Sequence, residues 1–205
     1  MKLTLRWSNG EGSRRFPLWT RSLKAKEIFP VRTRPLSVQC LLEGGMMLTY
    51  ADKMEIVRQH QIAAPVQTVP IAQAMGVNVY HVPNWPNELS GKIMKSAQHG
   101  GNSGYAIYVN QGHHPNRRRF TTAHEIAHFI LHQDAIGDGI TDDGLYRSRL
   151  SNAMEAQANR LAADILMPWH LLNPYIDRGT TEVGELAGIF GVSLSAMSIR
   201  LGVPA

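Results

Sequence analysis

The chain of 205 residues lacks the features of several protein classes. Its single cysteine, Cys40, cannot form an intramolecular disulfide. No apolar run approaches the roughly 20 residues that a membrane-spanning helix needs. The residues after Met1 also lack the apolar core and small-residue cleavage site of a signal peptide. These absences exclude a disulfide-stapled scaffold, and we expect a cytoplasmic protein that does not contact membranes.

Charged residues make up 18% of the chain, which is ordinary for a globular protein, but they are unevenly distributed. Residues 1–45 contain nine Lys or Arg and three acidic residues, whereas residues 46–205 contain 12 basic and 13 acidic residues. The formal net charge of +5 therefore comes from the first 45 residues. The rest of the chain is close to neutral, so we expect no direct binding of nucleic acid.

Residues 1–45 show no sustained helical or strand periodicity and end in Glu-Gly-Gly before Met46 and Met47. We interpret them as a basic N-terminal extension outside the natural domain. Two hypotheses remain open. Translation begins at Met46 or Met47, or the extension is a basic, partly disordered tail that binds an acidic partner.

From Tyr50 onwards, helical periodicity alternates with strand-like runs and Gly-rich turns. We predict helices near 51–63 and 68–75, a helix that Pro115-Asn116 caps and that runs to about Gln133, and helices near 151–167, 181–190 and 193–200. We predict strands at 77–82, 89–94 and 105–110. A polar stretch covers 134–144. The pattern predicts an α+β fold that is mostly helical with a small sheet.

One segment has the H-E-x-x-H pattern on a predicted helix, from His124 through Glu125 to His128. Residues four apart lie on nearly the same helical face, about 6 Å apart along the axis, so both imidazoles can converge on one metal ion. Glu125 is rotated by about 100° from His124. It is therefore poorly placed as a ligand but well placed as a general base, which is the arrangement of a zinc hydrolase.

The predicted helix near 151–167 offers a third ligand. Glu155 shares a face with Ala158, Ala162 and Leu166, and a carboxylate on an apolar face is costly unless it is paired, protonated or bound to a metal. Asn159, one turn further, is placed to hydrogen-bond a ligand and fix its orientation.

Other polar residues are candidates for supporting roles. His132 continues the four-residue spacing but lies about 12 Å along the axis from His124, so we interpret it as a supporting or structural residue rather than a ligand. A hydrolase also needs a group that stabilises the oxyanion. The candidates are Tyr146, Arg147, Arg149 and His132. We further expect an extended substrate to pair with an edge strand at Tyr105–Asn110.

Three runs of sequence resemble the ImmA/IrrE family of metallopeptidases, and the resemblance as a whole spans roughly Tyr50 to Leu201. The run Arg119–His132, with H-E-x-x-H at its centre, looks like the first helix of that family. Glu155-Ala156-Gln157-Ala158-Asn159 through Leu166-Met167-Pro168 looks like the second. The segment from Leu186 to Leu201 is similar to the family's C-terminal part, which reads like a small helix-turn-helix.

The resemblance implies a zincin-like fold with its small sheet beside the H-E-x-x-H helix, and gluzincin-type ligation of Zn²⁺ by His124, His128 and Glu155. Residues 46–180 would form the metallopeptidase domain, with 181–205 packed on it. Family members are typically bacterial or phage proteins encoded beside a helix-turn-helix repressor or antitoxin, which they cleave or inactivate. A zinc endopeptidase acting on such a protein is therefore the expected function.

Two other functions are compatible with the same residues. A noncatalytic zinc-binding protein would bind and sequester the repressor or antitoxin, but it would have no use for the general base Glu125. A purely structural zinc would fill four protein ligands, and only three good candidates are evident.

Overall fold

The computed structural model describes residues 29–30, 47–136, 140–142 and 152–204. In these ranges the α-helices are α1 (Tyr50–His60), α2 (Thr68–Ala74), α3 (Pro115–Leu131), α4 (Asn152–Leu166), α5 (Trp169–Asp177), α6 (Val183–Phe190) and α7 (Leu194–Leu201). The strands are β1 (Phe29–Pro30), β2 (Asn78–Val82), β3 (Gly91–Lys95), β4 (Tyr105–Asn110) and β5 (Ile140–Asp142). The predicted α+β class is confirmed.

Most predicted elements agree with the structure, and the differences have local causes. α5 was not predicted, because Pro174 lies inside it and normally interrupts a helix. The predicted cap of α3 was wrong by one residue. His114 is the N-cap, and its Nδ1 accepts a hydrogen bond from the Asn116 amide. Pro115 then occupies the first helical position, where its missing N–H costs nothing.

The sheet has the strand order β1-β2-β4-β3-β5. β4 pairs in parallel with β2 and antiparallel with β3, and all six of its residues are buried. The prediction that β4 is an edge strand open to a substrate was therefore wrong. Its apolar residues on both faces reflect a central position.

α3 packs between the sheet and α4. Four alanines of α3 and α4 are fully buried, and small side chains of this kind let two helices approach each other closely. They are Ala123, Ala127, Ala158 and Ala162. This packing brings the polar residues of α4 next to the histidines of α3.

The C-terminal helices belong to the main hydrophobic core, which includes Leu186, Phe190 and Met197. Arg119 on α3 donates hydrogen bonds to the carbonyls of Gly191 and Phe190, and so ties the turn between α6 and α7 to the body of the protein. Within the described ranges, no individual helix has both the length and the apolarity to cross a membrane. Only α6 and α7 together, bent by 111°, reach those limits.

Most of residues 1–45 lie outside the described ranges, so the hypotheses on the N-terminal extension stay predictions. The exception is β1, whose Phe29 and Pro30 pair antiparallel with His81 and Tyr80 of β2.

Candidate metal centre

Three side chains from α3 and α4 converge at the contact between these helices. Nε2 of His124 lies 2.9 Å from Nε2 of His128. Each of these nitrogens lies 3.4 Å from a carboxylate oxygen of Glu155. Among the residues that the structure describes, this is the only group of three such side chains whose ligand atoms come within 4.8 Å of one another.

The outer nitrogens of the two imidazoles are also engaged. Nδ1 of His124 lies 3.0 Å from Oδ1 of Asn159. Nδ1 of His128 lies 3.2 Å from Nδ1 of His132, whose Nε2 in turn lies 3.0 Å from Oε1 of Gln157. Both imidazoles are therefore held by contacts at Nδ1, while their Nε2 atoms face Glu155.

The electrostatics favour an ionised carboxylate at Glu155 and a neutral imidazole at His128. Protons on the two imidazoles, when present, hydrogen-bond to the carboxylate and hold the pKa of Glu155 well below its usual range. Burial lowers the pKa of His128, with further lowering from the neighbouring histidines and an opposing effect from Glu155. Glu155 is thus an anion, and burial favours the neutral form of His128.

The chemistry of this donor set fits a metal ion. With their Nδ1 atoms donating hydrogen bonds, neutral His124 and His128 present lone pairs at Nε2. Two such nitrogens 2.9 Å apart, beside a carboxylate, repel one another unless a positive charge lies among them. That charge is supplied by protons or by a metal cation, and a buried imidazole pair with a carboxylate is a typical metal-binding set.

Glu125 has no exposed surface and lies against β3. Its Oε1 is 3.3 Å from the position that a Cβ on Gly91 would occupy. The absence of a side chain at Gly91 therefore leaves space for the Glu125 carboxylate between α3 and the sheet. This buried position next to His124 suits a proton acceptor rather than a solvated surface acid.

The structure brings together most of the predicted site residues. His124, His128, Glu155, Asn159 and His132 form one connected cluster. The oxyanion candidates Tyr146, Arg147 and Arg149 lie outside the described residues.

Sequence reasoning missed two residues of the site, Gln157 and Gly91. Gln157 lies on a different helical face from Glu155, so helical periodicity does not identify it as a residue of the site. Gly91 was read as part of a strand, and an isolated glycine in a strand is a sign of close approach by another group.

Comparison with known proteins places these residues in a family. The model of a peptidase family described as the IrrE N-terminal-like domain matches residues 72–202, which include both helices of the metal centre.

Two curated relatives have similar sequences. The chain is 39% identical over 95 residues to the "Radiation response metalloprotease IrrE" of Deinococcus radiodurans, covering 44% of this chain and 28% of the relative. It is 37% identical over 97 residues to the protein of the same name from Deinococcus deserti, covering 45% and 34% respectively. The chain thus spans about a third or less of the length of these relatives.

A solved structure described as "Mycobacterium tuberculosis transcriptional regulator" is also similar. It superimposes with a TM-score of 0.50 at 16% sequence identity, over 75% of this chain and 46% of the other. At this identity the similarity concerns the fold alone.

Proposed function

This chain belongs to the ImmA/IrrE family of metallopeptidases, and on that premise we propose that it is a zinc-dependent endopeptidase. The observation that carries the proposal is the convergence of His124, His128 and Glu155, with the buried Glu125 in the same turn of α3. Three protein ligands leave a fourth position open, which is the arrangement of a catalytic rather than a structural zinc site.

Zinc fits the donor set in number, type and spacing. Two imidazole nitrogens and one carboxylate oxygen form a known catalytic zinc ligand set. Tetrahedral zinc with bonds of about 2.0–2.1 Å separates its ligand atoms by roughly 3.3–3.4 Å. The two histidine-to-glutamate distances are each 3.4 Å. The 2.9 Å between the imidazole nitrogens is shorter than this separation.

In the proposed mechanism, bound zinc supplies Lewis acidity that acidifies water and polarises the scissile carbonyl. The Glu125 carboxylate accepts a proton from the attacking water as the new carbon–oxygen bond forms. It then passes this proton to the amide nitrogen as the carbon–nitrogen bond breaks, so that Glu125 returns to its carboxylate form. The buried setting of Glu125 keeps bulk water from competing for that proton.

We further propose that the substrate is a helix-turn-helix repressor or antitoxin encoded nearby, in a phage, mobile-element or toxin–antitoxin context. This proposal is supported by the family resemblance, since such neighbours are typical of its members. The near-neutral charge of residues 46–205 supports a protein rather than a nucleic acid as the partner.

The test compares the full chain as wild type and as Glu125→Gln, each co-expressed with the neighbouring helix-turn-helix protein. Glu185→Gln is a matched control, because Glu185 is an exposed glutamate on α6. Zinc content is measured by elemental analysis and repressor integrity by mass spectrometry. We expect cleavage with the wild type and the control but not with the zinc-loaded Glu125→Gln variant.

Other outcomes of this experiment have distinct meanings. If the repressor stays intact with every form and co-purifies with each, the noncatalytic sequestering function replaces the peptidase. If Glu125→Gln cleaves as fast as the wild type, Glu125 is not the general base.

A further inference from the structure

Three side chains form a hydrogen-bonded row that begins at the metal centre, in the order His128, His132 and Gln157. Nδ1 of His128 faces Nδ1 of His132 at 3.2 Å, and Nε2 of His132 faces Oε1 of Gln157 at 3.0 Å. His128 is fully buried and His132 is 9% exposed, so little water reaches the two ring nitrogens between them. We call these three residues the His128–His132–Gln157 relay.

The direction of each hydrogen bond in the relay follows from its far end. The amide oxygen of Gln157 can only accept, so Nε2 of His132 carries a proton and donates it. A neutral imidazole has one N–H, which leaves Nδ1 of His132 as an acceptor. Nδ1 of His128 must therefore donate to it, and the lone pair of neutral His128 then lies on Nε2, the atom that faces Glu155.

We propose that His132, oriented by Gln157, is a positioning residue that selects the metal-binding tautomer of His128. Without an acceptor at His132, the His128 ring is free to place its proton on Nε2, and that nitrogen cannot bind a metal until the proton moves. The proposal rests on the proposed function in that His128 is taken as a metal ligand.

The relay also explains how α4 organises the whole centre. Asn159 holds His124 directly, Gln157 holds His128 through His132, and Glu155 supplies a carboxylate. Three residues of one helix therefore set the third ligand and the tautomers of the other two. Outer hydrogen-bond partners of this kind change metal affinity by about 10–100-fold when they are removed.

The experiment uses two substitutions of similar shape at one position. His132→Leu removes the acceptor, whereas His132→Asn keeps an acceptor oxygen close to where Nδ1 stood. The control is His113→Leu, since His113 is 8% exposed and hydrogen-bonds the Asn87 carbonyl away from the relay. The zinc dissociation constant is measured by competition with a chromophoric chelator, and folding by circular dichroism.

We expect His132→Leu to weaken zinc binding about 10–100-fold and His132→Asn to weaken it by less than about threefold. Gln157→Leu alone should weaken binding, but it should add little in the His132→Leu background, because both changes interrupt one relay. The proposal is overturned if His132→Leu binds zinc as tightly as the wild type, or loses no more affinity than His113→Leu.

A second measurement needs no metal. Nitrogen-15 NMR of the metal-free protein at pH 8 reports which ring nitrogen of His128 carries the proton. We expect the proton of His128 on Nδ1 in the wild type and in His132→Asn, with its Nε2 accepting from a proton on Nε2 of His124, and a mixture of both forms in His132→Leu. A proton on Nε2 in the wild type would overturn the relay even if zinc binds.

These readouts separate the relay from the peptidase proposal. A wild type that binds zinc through the relay but hydrolyses no peptide contradicts only the proposed function. A wild type that binds no zinc also contradicts the proposed function, while the His128 tautomer still decides whether the relay exists.

Discussion

Gly91 on β3 lies directly beneath Glu125 on α3, and the space where a Gly91 side chain would stand is bounded by the Glu125 carboxylate. An added Cβ would lie 3.3 Å from Oε1 of Glu125 and would overlap the Cγ2 methyl of Thr121. The glycine thus allows the helix that carries H-E-x-x-H to pack closely on the sheet. The position of the proposed general base is set by a residue 34 positions earlier in the chain.

Gly91→Ala should destabilise the protein and displace Glu125. The overlap with Thr121 forces α3 or β3 to shift, at a cost of about 1–3 kcal/mol in the free energy of unfolding. Chemical denaturation measures that cost, and peptide hydrolysis should fall more than zinc content does. Gly188→Ala is the matched control, because a Cβ there meets nothing within 4 Å. Equal stability of the two variants would contradict the close packing.

Asn159→Leu should weaken zinc binding by about 10–100-fold, because Nδ1 of His124 loses the oxygen to which it donates. Asn159→Asp keeps an acceptor at the same place and should retain wild-type affinity or exceed it. Competition with a chelator measures both constants. Asn152→Leu, at the exposed start of α4, serves as the control. If the leucine and aspartate variants bind zinc equally well, Asn159 does not orient His124.

Removing the metal should lower the thermal stability of the wild type. A ligand that binds only the folded state at 100 times its dissociation constant stabilises it by about 2.7 kcal/mol. Calorimetry with added zinc and with a chelator should therefore give different unfolding temperatures. The difference should vanish in Glu155→Leu, which removes one of the three proposed ligands. A zinc-dependent shift that persists unchanged in this variant would show that the metal binds elsewhere.

Lowering the pH should reduce the free energy of unfolding of the wild type, and His81 should contribute to this loss. Burial lowers the pKa of His81 below its model-peptide value of 6.5, and the positive charge of Arg118 lowers it further. Below pH 6.5 the unfolded chain takes up a proton that folded His81 resists, so stability falls as the pH drops towards the folded pKa. His81→Gln removes this contribution.

Urea unfolding at pH 7.5 and pH 5.5 tests the sign of the His81 effect. The wild type should lose more free energy of unfolding between these two values than His81→Gln does. The other histidines are common to both proteins, so the difference isolates His81. Equal losses would show that folded His81 titrates as it does in the unfolded chain.

The sequence by itself was sufficient to propose which residues form the metal centre. The spacing of His124 and His128 is a property of any α-helix, so no tertiary information was needed to place them on one face. Glu155 was identified because a carboxylate among alanines on an apolar face requires a partner. Each of these inferences depends only on the spacing of residues within one helix.

The strand order and the contacts between side chains that are distant in sequence were decided by the tertiary structure alone. β4 was expected to be an edge strand that pairs with a substrate, yet β2 and β3 occupy both of its sides. Gln157 pointed away from the ligand face by helical periodicity, yet its side chain reaches His132. Local periodicity indicates on which face of a helix or strand a residue lies. Pairing between segments that are distant in sequence depends on how the whole core packs, so the sequence of one segment alone does not determine its partners.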